Sequence, residues 1–520
     1  MSWQPEIEEL RRREALAREL GGPERVERQH ASGRLTVRER IERLLDAGSF
    51  EESGAIAGVG SYSESGELEG FVPANMVIGR GRVDGRPVAL QGDDFTVRGG
   101  AADAAIWRKM VYAEQLAAEL RMPLVRLVDG TGGGGSVKML EQMGFTYVPE
   151  VPGWELSVAN LSRVPVAAAA LGPCAGLGAA RVVASHFSVI VRGTAQLFVA
   201  GPPVVAMAGM GEAPGKEELG GSRIQTAAGA VDNEAGDEED ALAQLRRFLS
   251  YLPESVWEAP PMVASADPAS RREEELLGIV PRDERKPYPM RRILELVFDR
   301  GSVFEMGRRF GRPLITALAR LEGRPVGVMA SDPNAYGGGL DADASEKMVR
   351  FTDLCDQFRL PVCNLVDQPG FVVGTAAERR GTMRRGTRAY FAAYQATVPW
   401  VSILVRKVYG IAGSAAGNAS RLNLRYAWPS GSWGSLPLAG GLEAAYRREL
   451  EAAEDPGALR AEIEARLSAV TSPFRTAERF AVEEIIDPRD TRPILCAWAE
   501  RAHRLVAQEP GGPRSRGMRP

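Results

Sequence analysis

The feature that most limits what this chain can fold into is that it contains itself twice. Residues 82–129, shifted by 238 positions, lie on residues 320–367 without a gap. Arg82, Gly85, Arg86, Pro87 and Val88 fall on Arg320, Gly323, Arg324, Pro325 and Val326, and Lys109, Met110 and Val111 on Lys347, Met348 and Val349. Pro123, Leu127, Val128 and Asp129 fall on Pro361, Leu365, Val366 and Asp367. In all, 19 of 48 aligned positions are identical, where composition alone gives about three. Two domains of one fold follow, with a period far longer than a solenoid's.

Within each copy, short apolar runs alternate with helical stretches. Gly85–Leu90 reads as a strand, Ala101–Leu120 as a helix and Pro123–Asp129 as a strand, the α/β pattern. Ahead of the first copy, residues 1–48 read as charged helices. The first domain then spans 49–255, the second 256–505, and a Gly/Pro/Arg tail over 506–520 is expected to be disordered. The proline-rich stretch 253–290 is the expected linker. The acidic run Asp232–Asp240 reads as a solvated helix start, with a helix over Ala241–Leu252. A charged helix near 449–470 and a run over Phe474–Ala502 complete the chain.

With 64 basic and 68 acidic residues the net charge is −4, which argues against nucleic acid or a membrane surface as partner. Four cysteines in 520 residues make no disulfide framework and fit a reducing cytoplasm. With no charged-then-apolar leader at the start, a cytoplasmic location is the expectation. No Cys/His cluster has metal spacing.

Chemistry points to Val164–Ala180, which reads as a buried strand, a Gly-rich turn and a helix of small residues. Such a turn leaves backbone N–H groups unpaired at a helix start. It suits an oxyanion, such as the oxygen of an enolised thioester; a tight corner that merely needs glycine is the alternative. A four-residue adjustment brings the second copy into line. Val164-Pro165 pairs with Val398-Pro399, and Gly176-Leu177-Gly178 with Gly410-Ile411-Ala412. Two such corners in one chain favour the oxyanion reading.

Several stretches together resemble the carboxyltransferase (β) subunits of biotin-dependent acyl-CoA carboxylases, the propionyl-CoA and methylcrotonyl-CoA group. They include Gly33-Arg34-Leu35-Thr36-Val37-Arg38-Glu39-Arg40, Gln91-Gly92-Asp93-Asp94-Phe95-Thr96-Val97-Arg98-Gly99-Gly100 and Gly172-Pro173-Cys174-Ala175-Gly176. Val366-Asp367-Gln368-Pro369-Gly370-Phe371, Arg406-Lys407-Val408-Tyr409-Gly410 and Tyr426-Ala427-Trp428-Pro429 extend the likeness, which runs from Gly33 to about Arg501.

The resemblance implies an α/β fold of two tandem crotonase-like domains, with active sites at a dimer interface and a homo-hexamer built as a trimer of dimers. It implies acyl-CoA in the first domain and carboxybiotin, delivered by a biotin carboxylase/biotin carrier (α) subunit, in the second. Biotin is the implied base, and an enolate attacks CO2. By resemblance, the N–H groups of Leu177 and Gly178 hold the thioester oxygen, and those of Ile411 and Ala412 the biotin carbonyl. The CoA and acyl side is assigned Gly132, Gly133, Gly134, Gly176, Arg98 and Lys109, and the biotin side Gly370, Phe371, Gly374, Gly410 and Ser414. No metal is implied, and no catalytic histidine is needed, so His30, His186 and His503 read as structural.

The family pattern is departed from in places. Glycine is usual where Leu177 and Ile411 stand, so the donors survive only if φ there stays negative. The usual arginine of the first loop is missing from Asp129-Gly130-Thr131-Gly132-Gly133-Gly134-Gly135-Ser136, and Ser414 stands where aspartate is usual. These changes point to an unusual acyl group. A carboxyl-CoA decarboxylase or transcarboxylase and a non-catalytic scaffold remain as alternatives. The G-x-G-x-x-G match starting at Gly130 is a weak dinucleotide signal because its twin at Asp367–Gly374 breaks the pattern. Cys174 reads as a small buried residue. Glu346-Lys347-Met348 is not a biotin attachment site, since it lies in a predicted helix and duplicates Arg108-Lys109-Met110.

Overall fold

The computed structural model describes residues 2–101, 104–130, 140–141, 143–148, 150–208, 211–418, 420–422, 424–468 and 470–514. The chain divides into two compact units, Met1–Glu258 with Gly512–Pro520, and Ala259–Gly511.

The first unit opens with helices α1 (Gln4–Arg18), α2 (Pro23–Ala31) and α3 (Val37–Leu44). A capping box fixes the start of α3: Thr36 accepts from the Glu39 N–H while Glu39 accepts from the Thr36 N–H. A seven-stranded mixed sheet follows. Its strands are β1 (Glu51–Ser53), β2 (Met76–Val83), β3 (Arg86–Asp93), β4 (Leu124–Val128), β5 (Val166–Ala170), β6 (Phe187–Val191) and β7 (Asn233–Ala235), adjacent in that order. Helices α4 (Trp107–Leu120), α5 (Leu177–Val183) and α6 (Glu238–Tyr251) connect or follow them. Strands β4, β5 and β6 are buried along their whole length, and apart from Arg126 and Ser188 they are apolar throughout, as parallel strands covered on both faces are.

The second unit repeats the plan. Helix α7 (Met290–Val297) precedes β8 (Phe304–Met306), β9 (Leu314–Leu321), β10 (Arg324–Ser331), β11 (Val362–Gln368), β12 (Trp400–Tyr409), β13 (Arg425–Ala427) and β14 (Glu484–Ile485), again neighbours in that order. Helices α8 (Ala342–Gln357), α9 (Thr382–Gln395), α10 (Gly410–Gly413) and α11 (Thr491–Gln508) complete it. Its core runs through β9–β12 and the inner faces of α7 and α11.

The duplication holds residue by residue. Met76 pairs with Asp93 and Arg82 with Pro87 across β2 and β3, as Leu314 pairs with Ser331 and Arg320 with Pro325 across β9 and β10. Ala89↔Leu124 recurs as Gly327↔Val362, and Leu124↔Val166 as Val362↔Trp400. Even the costly backbone is copied. Six left-handed non-glycine residues form pairs 238 apart: Asp84 and Glu322, Arg98 and Tyr336, Arg121 and Arg359.

Three expectations need correction. The helix expected from Ala101 begins at Trp107, because Gly99 and Gly100 are left-handed and Ala101 is extended. The acidic run is not simply solvated. Asn233–Ala235 forms strand β7, Asp232 accepts from the Ser188 N–H at 2.8 Å, and Glu238 is buried on Arg40. Phe474–Ala502 is not one run: a short helix Pro473–Glu478, strand β14 and the start of α11 divide it. All four cysteines are free and buried. Among the described residues, no helix is long and apolar enough to cross a membrane.

Candidate active site

In parallel sheets of this kind, ligands meet the chain at the carboxyl ends of the strands, and there the two copies place matching corners. After β5 the chain forms a short strand, Pro173–Ala175, turns at Gly176 and enters α5 at Leu177. Gly176 has φ 56° and ψ −120°, a combination that side-chain-bearing residues avoid. After β12 the chain turns at Gly410, with φ 62°, and enters α10. In both copies the left-handed residue is therefore the glycine before the bulky one. Leu177 and Ile411 keep negative φ and lie in the first turn of their helices.

The consequence is a set of free donors. Among the described residues, the N–H groups of Leu177 and Gly178, and those of Ile411 and Ala412, have no hydrogen-bond acceptor in the chain. They are the orphan groups that any helix start leaves. Ile411 is 56% exposed.

Neighbouring glycines close each corner. A Cβ on Gly130 would come 3.1 Å from Gly100 Cα, and Gly130 O accepts from the Ala175 N–H at 3.4 Å. The Arg98–Gly100 loop, the end of β4 and the Gly176 turn thus share one rim. Arg98 is exposed there, with φ 51°. In the second unit Gly370, at φ 122°, lies beside Tyr409 O and accepts from the Leu340 N–H at 3.0 Å. Phe371 is bridged to Leu340, and Gly386 has no side chain because the Phe371 ring occupies that space. Gly374, at φ 115°, starts the next helix, Thr375–Arg379. Ser414 Oγ donates to Ile411 O at 2.6 Å, so its hydroxyl folds back onto the helix.

Four of the expected residues stand away from the corners or lie outside the described residues. Lys109 is 8% exposed and its Nζ donates to Gly54 O at 3.0 Å, and burial pulls its pKa down to about 8. Its twin Lys347 donates to Gly307, Phe310 and Leu314 carbonyls at 2.7–3.0 Å. Both lysines tie loops to helices. Gly132, Gly133 and Gly134 lie outside the described residues.

Beneath each corner sits a buried carboxylate that the sequence reading did not single out. Asp129 follows β4 and is fully buried; it accepts from Arg40 Nη1 at 2.9 Å, Arg34 Nη1 at 3.0 Å and Gln29 Nε2 at 3.2 Å. Arg40 also pairs with Glu238 at 2.7 Å. Although burial opposes its charge, Asp129 and Glu238 hold its pKa above the usual value. In the second unit Asp367 takes Arg406 Nη2 at 2.9 Å and the Lys407 N–H at 3.0 Å. Each arginine stacks on an aromatic ring: Arg34 over Phe95 at 4.6 Å and Arg406 over Tyr288 at 4.8 Å. With their oxygens occupied by guanidinium groups and, at Asp367, by a backbone N–H, these carboxylates are anchors and not bases. The signal for them was available, since Asp129 and Asp367 are aligned identities in the repeat.

The histidines are also engaged. His186 Nδ1 accepts from the Val166 N–H at 2.9 Å and Nε2 donates to Leu161 O at 3.0 Å. His503 Nε2 donates to Pro325 O at 2.8 Å. Cys174 is wholly buried, and burial pushes its thiol well above the usual range. What the rims offer is backbone dipoles.

Paired corners on duplicated mixed sheets define a tandem crotonase-like protein. Residues 28–508 match the carboxyl transferase domain family, and the chain belongs to that family as a relative of propionyl-CoA carboxylase carboxyltransferase subunits. It is 36% identical over 501 residues to the propionyl-CoA carboxylase carboxyltransferase subunit of Haloferax mediterranei, covering 96% of each chain. It is 35% identical over 502 residues to the methylmalonyl-CoA carboxyltransferase 12S subunit of Propionibacterium freudenreichii subsp. shermanii, covering 95% of this chain and 93% of that one. Among solved structures it resembles transcarboxylase 12S, a hexamer seen with methylmalonyl-coenzyme A bound, with a TM-score of 0.86, 31% identity and 99% and 98% of the two chains covered.

Proposed function

We propose that this chain is the carboxyltransferase subunit of a biotin-dependent acyl-CoA carboxylase, moving a carboxyl group from carboxybiotin to the α carbon of an acyl-CoA. The observation that carries the reading is the matched pair of unpartnered N–H corners, one at the strand ends of each copy. The N–H groups of Leu177 and Gly178 receive the thioester oxygen as it becomes an enolate. Donors already fixed by a helix start need no reorganisation, and each contributes about 2.7–4 kcal/mol to lowering the barrier. Gly176 and the Arg98–Gly100 loop let the thioester approach the backbone.

On the other side, a planar urea fits the open faces left by Gly370 and Gly410, with the N–H groups of Ile411 and Ala412 donating to its carbonyl oxygen. Phe371 and Gly374 shape that face, and Ser414 braces Ile411. Carboxybiotin, when bound, supplies the carboxyl group and the base; this chain positions and polarises. The partner is a biotin carboxylase/biotin carrier (α) subunit, and the assembly is a homo-hexamer, as the transcarboxylase 12S hexamer supports. A cytoplasmic setting fits four unpaired thiols.

A second reading rests on the relatives. The methylmalonyl-CoA decarboxylase subunit alpha of Veillonella parvula is 33% identical over 502 residues, and the same corners serve the reverse direction equally well. The test incubates the chain with a purified biotin carboxylase/carrier partner, ATP, labelled bicarbonate and a panel of acyl-CoAs. Label in a malonyl-type CoA product is expected. A stable complex that labels nothing contradicts the carboxylase reading, and release of label only from carboxylated CoAs favours the second.

A further inference from the structure

The first unit hides a charged layer that the second lacks. Gln91 and Asp93 alternate onto one face of β3, and Gln91 stands opposite Arg126 on β4. Arg126 Nη2 donates to Glu114 Oε1 at 2.6 Å, and its Nη1 to Ala184 O at 2.6 Å and Arg181 O at 3.1 Å. Asn160 Nδ2 donates to Glu114 Oε2 at 2.8 Å. Burial alone raises the Glu114 carboxyl's pKa, but Arg126 and Asn160 outweigh it and hold it below the usual value. Arg181, on α5, is 2% exposed and donates through Nη1 to Asp93 Oδ1 at 2.9 Å, while its Nε and Nη2 have no partner among the described residues.

At the matching positions of the second unit stand Met329, Ser331, Thr352, Asn364 and Ala415, none of them charged. Burying two cations and two anions is unfavourable unless each is well paired, so a copy that folds without them sets the question of what they do. Their placement gives the answer. Arg181 lies one helical turn after Leu177, and helical side chains lean toward the helix start. Its counter-ion Asp93 also accepts the Asp129 N–H at 3.2 Å, and Gly130 O takes the Ala175 N–H at 3.4 Å. A ring of contacts thereby runs from the donor helix through Arg181, Asp93, Asp129 and Gly130 back to the Gly176 turn. In the second unit Ser331 Oγ accepts the Asp367 N–H at 3.1 Å, the same bond made by a neutral group with no cation behind it.

We propose that Arg181 is a positioning residue for the first oxyanion hole, holding α5 against the strand ends and placing a fixed positive charge behind the Leu177 and Gly178 donors. This rests on the carboxyltransferase reading above. A charge in a dry layer acts more strongly on a developing anion than one in water, and Arg181 is bound to its counter-ion through one nitrogen only.

The test uses the full chain with its biotinylated partner and the acyl-CoA that the wild type carboxylates best. Two variants are compared: Arg181→Ala, and the double variant Asp93→Ser with Arg181→Ala, which installs the second unit's own pair. The single variant leaves a buried carboxylate unpaired, so lower thermal stability and slower turnover are both expected. The double variant is expected to melt near the wild type yet keep a kcat roughly tenfold or more lower, with KM for acyl-CoA and for the biotinylated partner little changed. A double variant with wild-type kcat overturns the proposal and leaves the pair as packing. A change confined to KM overturns it too. A wild-type chain that carboxylates nothing overturns the parent reading, and this inference with it.

Discussion

At Gly172 the chain has no space for a side chain, and the reason is electrostatic. A Cβ there would overlap Asp129 Oδ1 and come within 2.7 Å of Arg34 Nη1. The corresponding position of the second unit is Arg406, which itself neutralises Asp367. One copy therefore carries its arginine on the strand, and the other imports Arg34 and Arg40 from the N-terminal helices and keeps the strand position bare. Gly172→Ala is expected to lower stability by about 3–5 kcal/mol, the scale of breaking a buried ion pair, as read by urea denaturation. Gly172→Arg cannot replace the imported pair, because Arg34 already fills the space. His503 gives a pH signature. Burial lowers its pKa from 6.5 to about 4, so the unfolded chain binds the proton first and stability falls as pH drops from about 6.5 toward 4. His503→Gln should flatten that slope, losing up to roughly 3 kcal/mol of pH dependence, in melts recorded across the range. None of these pairings was legible in the sequence, since Arg40 and Asp129 lie 89 residues apart and spacing says nothing about such contacts.

Among the elements, the short helices α5 and α10 carry the chemistry, and their first residues do so through the backbone. Leu177→Gly and Ile411→Gly should therefore leave kcat close to the parent value, at a cost in helix stability of about 1 kcal/mol or less. Gly176→Ala should do the opposite. It forces φ 56° with ψ −120° on a residue with a Cβ, costing about 1–3 kcal/mol, and tilts both donors, with a kcat loss approaching that of a missing donor, about 10²-fold. Steady-state kinetics on the three variants separates the cases. The corners themselves were legible, because a buried apolar run ending in Pro-Cys-Ala-Gly has few ways to continue. The roles of Arg98 and Lys109 were not equally open to reading. Both are charged and near the loop, but Arg98 stays on the rim while Lys109 turns inward to Gly54, a choice made by a loop folded from elsewhere in the chain.

For the whole molecule, the repeat was the most informative thing in the sequence. An offset of 238 became matching hairpin registers, the same order in seven shared strands and shared left-handed residues. What it concealed was divergence beneath the surface, where one copy holds a charged layer and the other an uncharged one. The proposed hexamer predicts six chains in a particle by analytical ultracentrifugation, and a species no larger than a dimer would contradict it. The central claim is that the two copies hold two different oxygens. It is tested most directly by a crystal structure of the chain with its acyl-CoA bound. The account predicts the thioester oxygen within hydrogen-bond distance of the Leu177 and Gly178 nitrogens. A thioester bound at Ile411 and Ala412, or away from both corners, would contradict it.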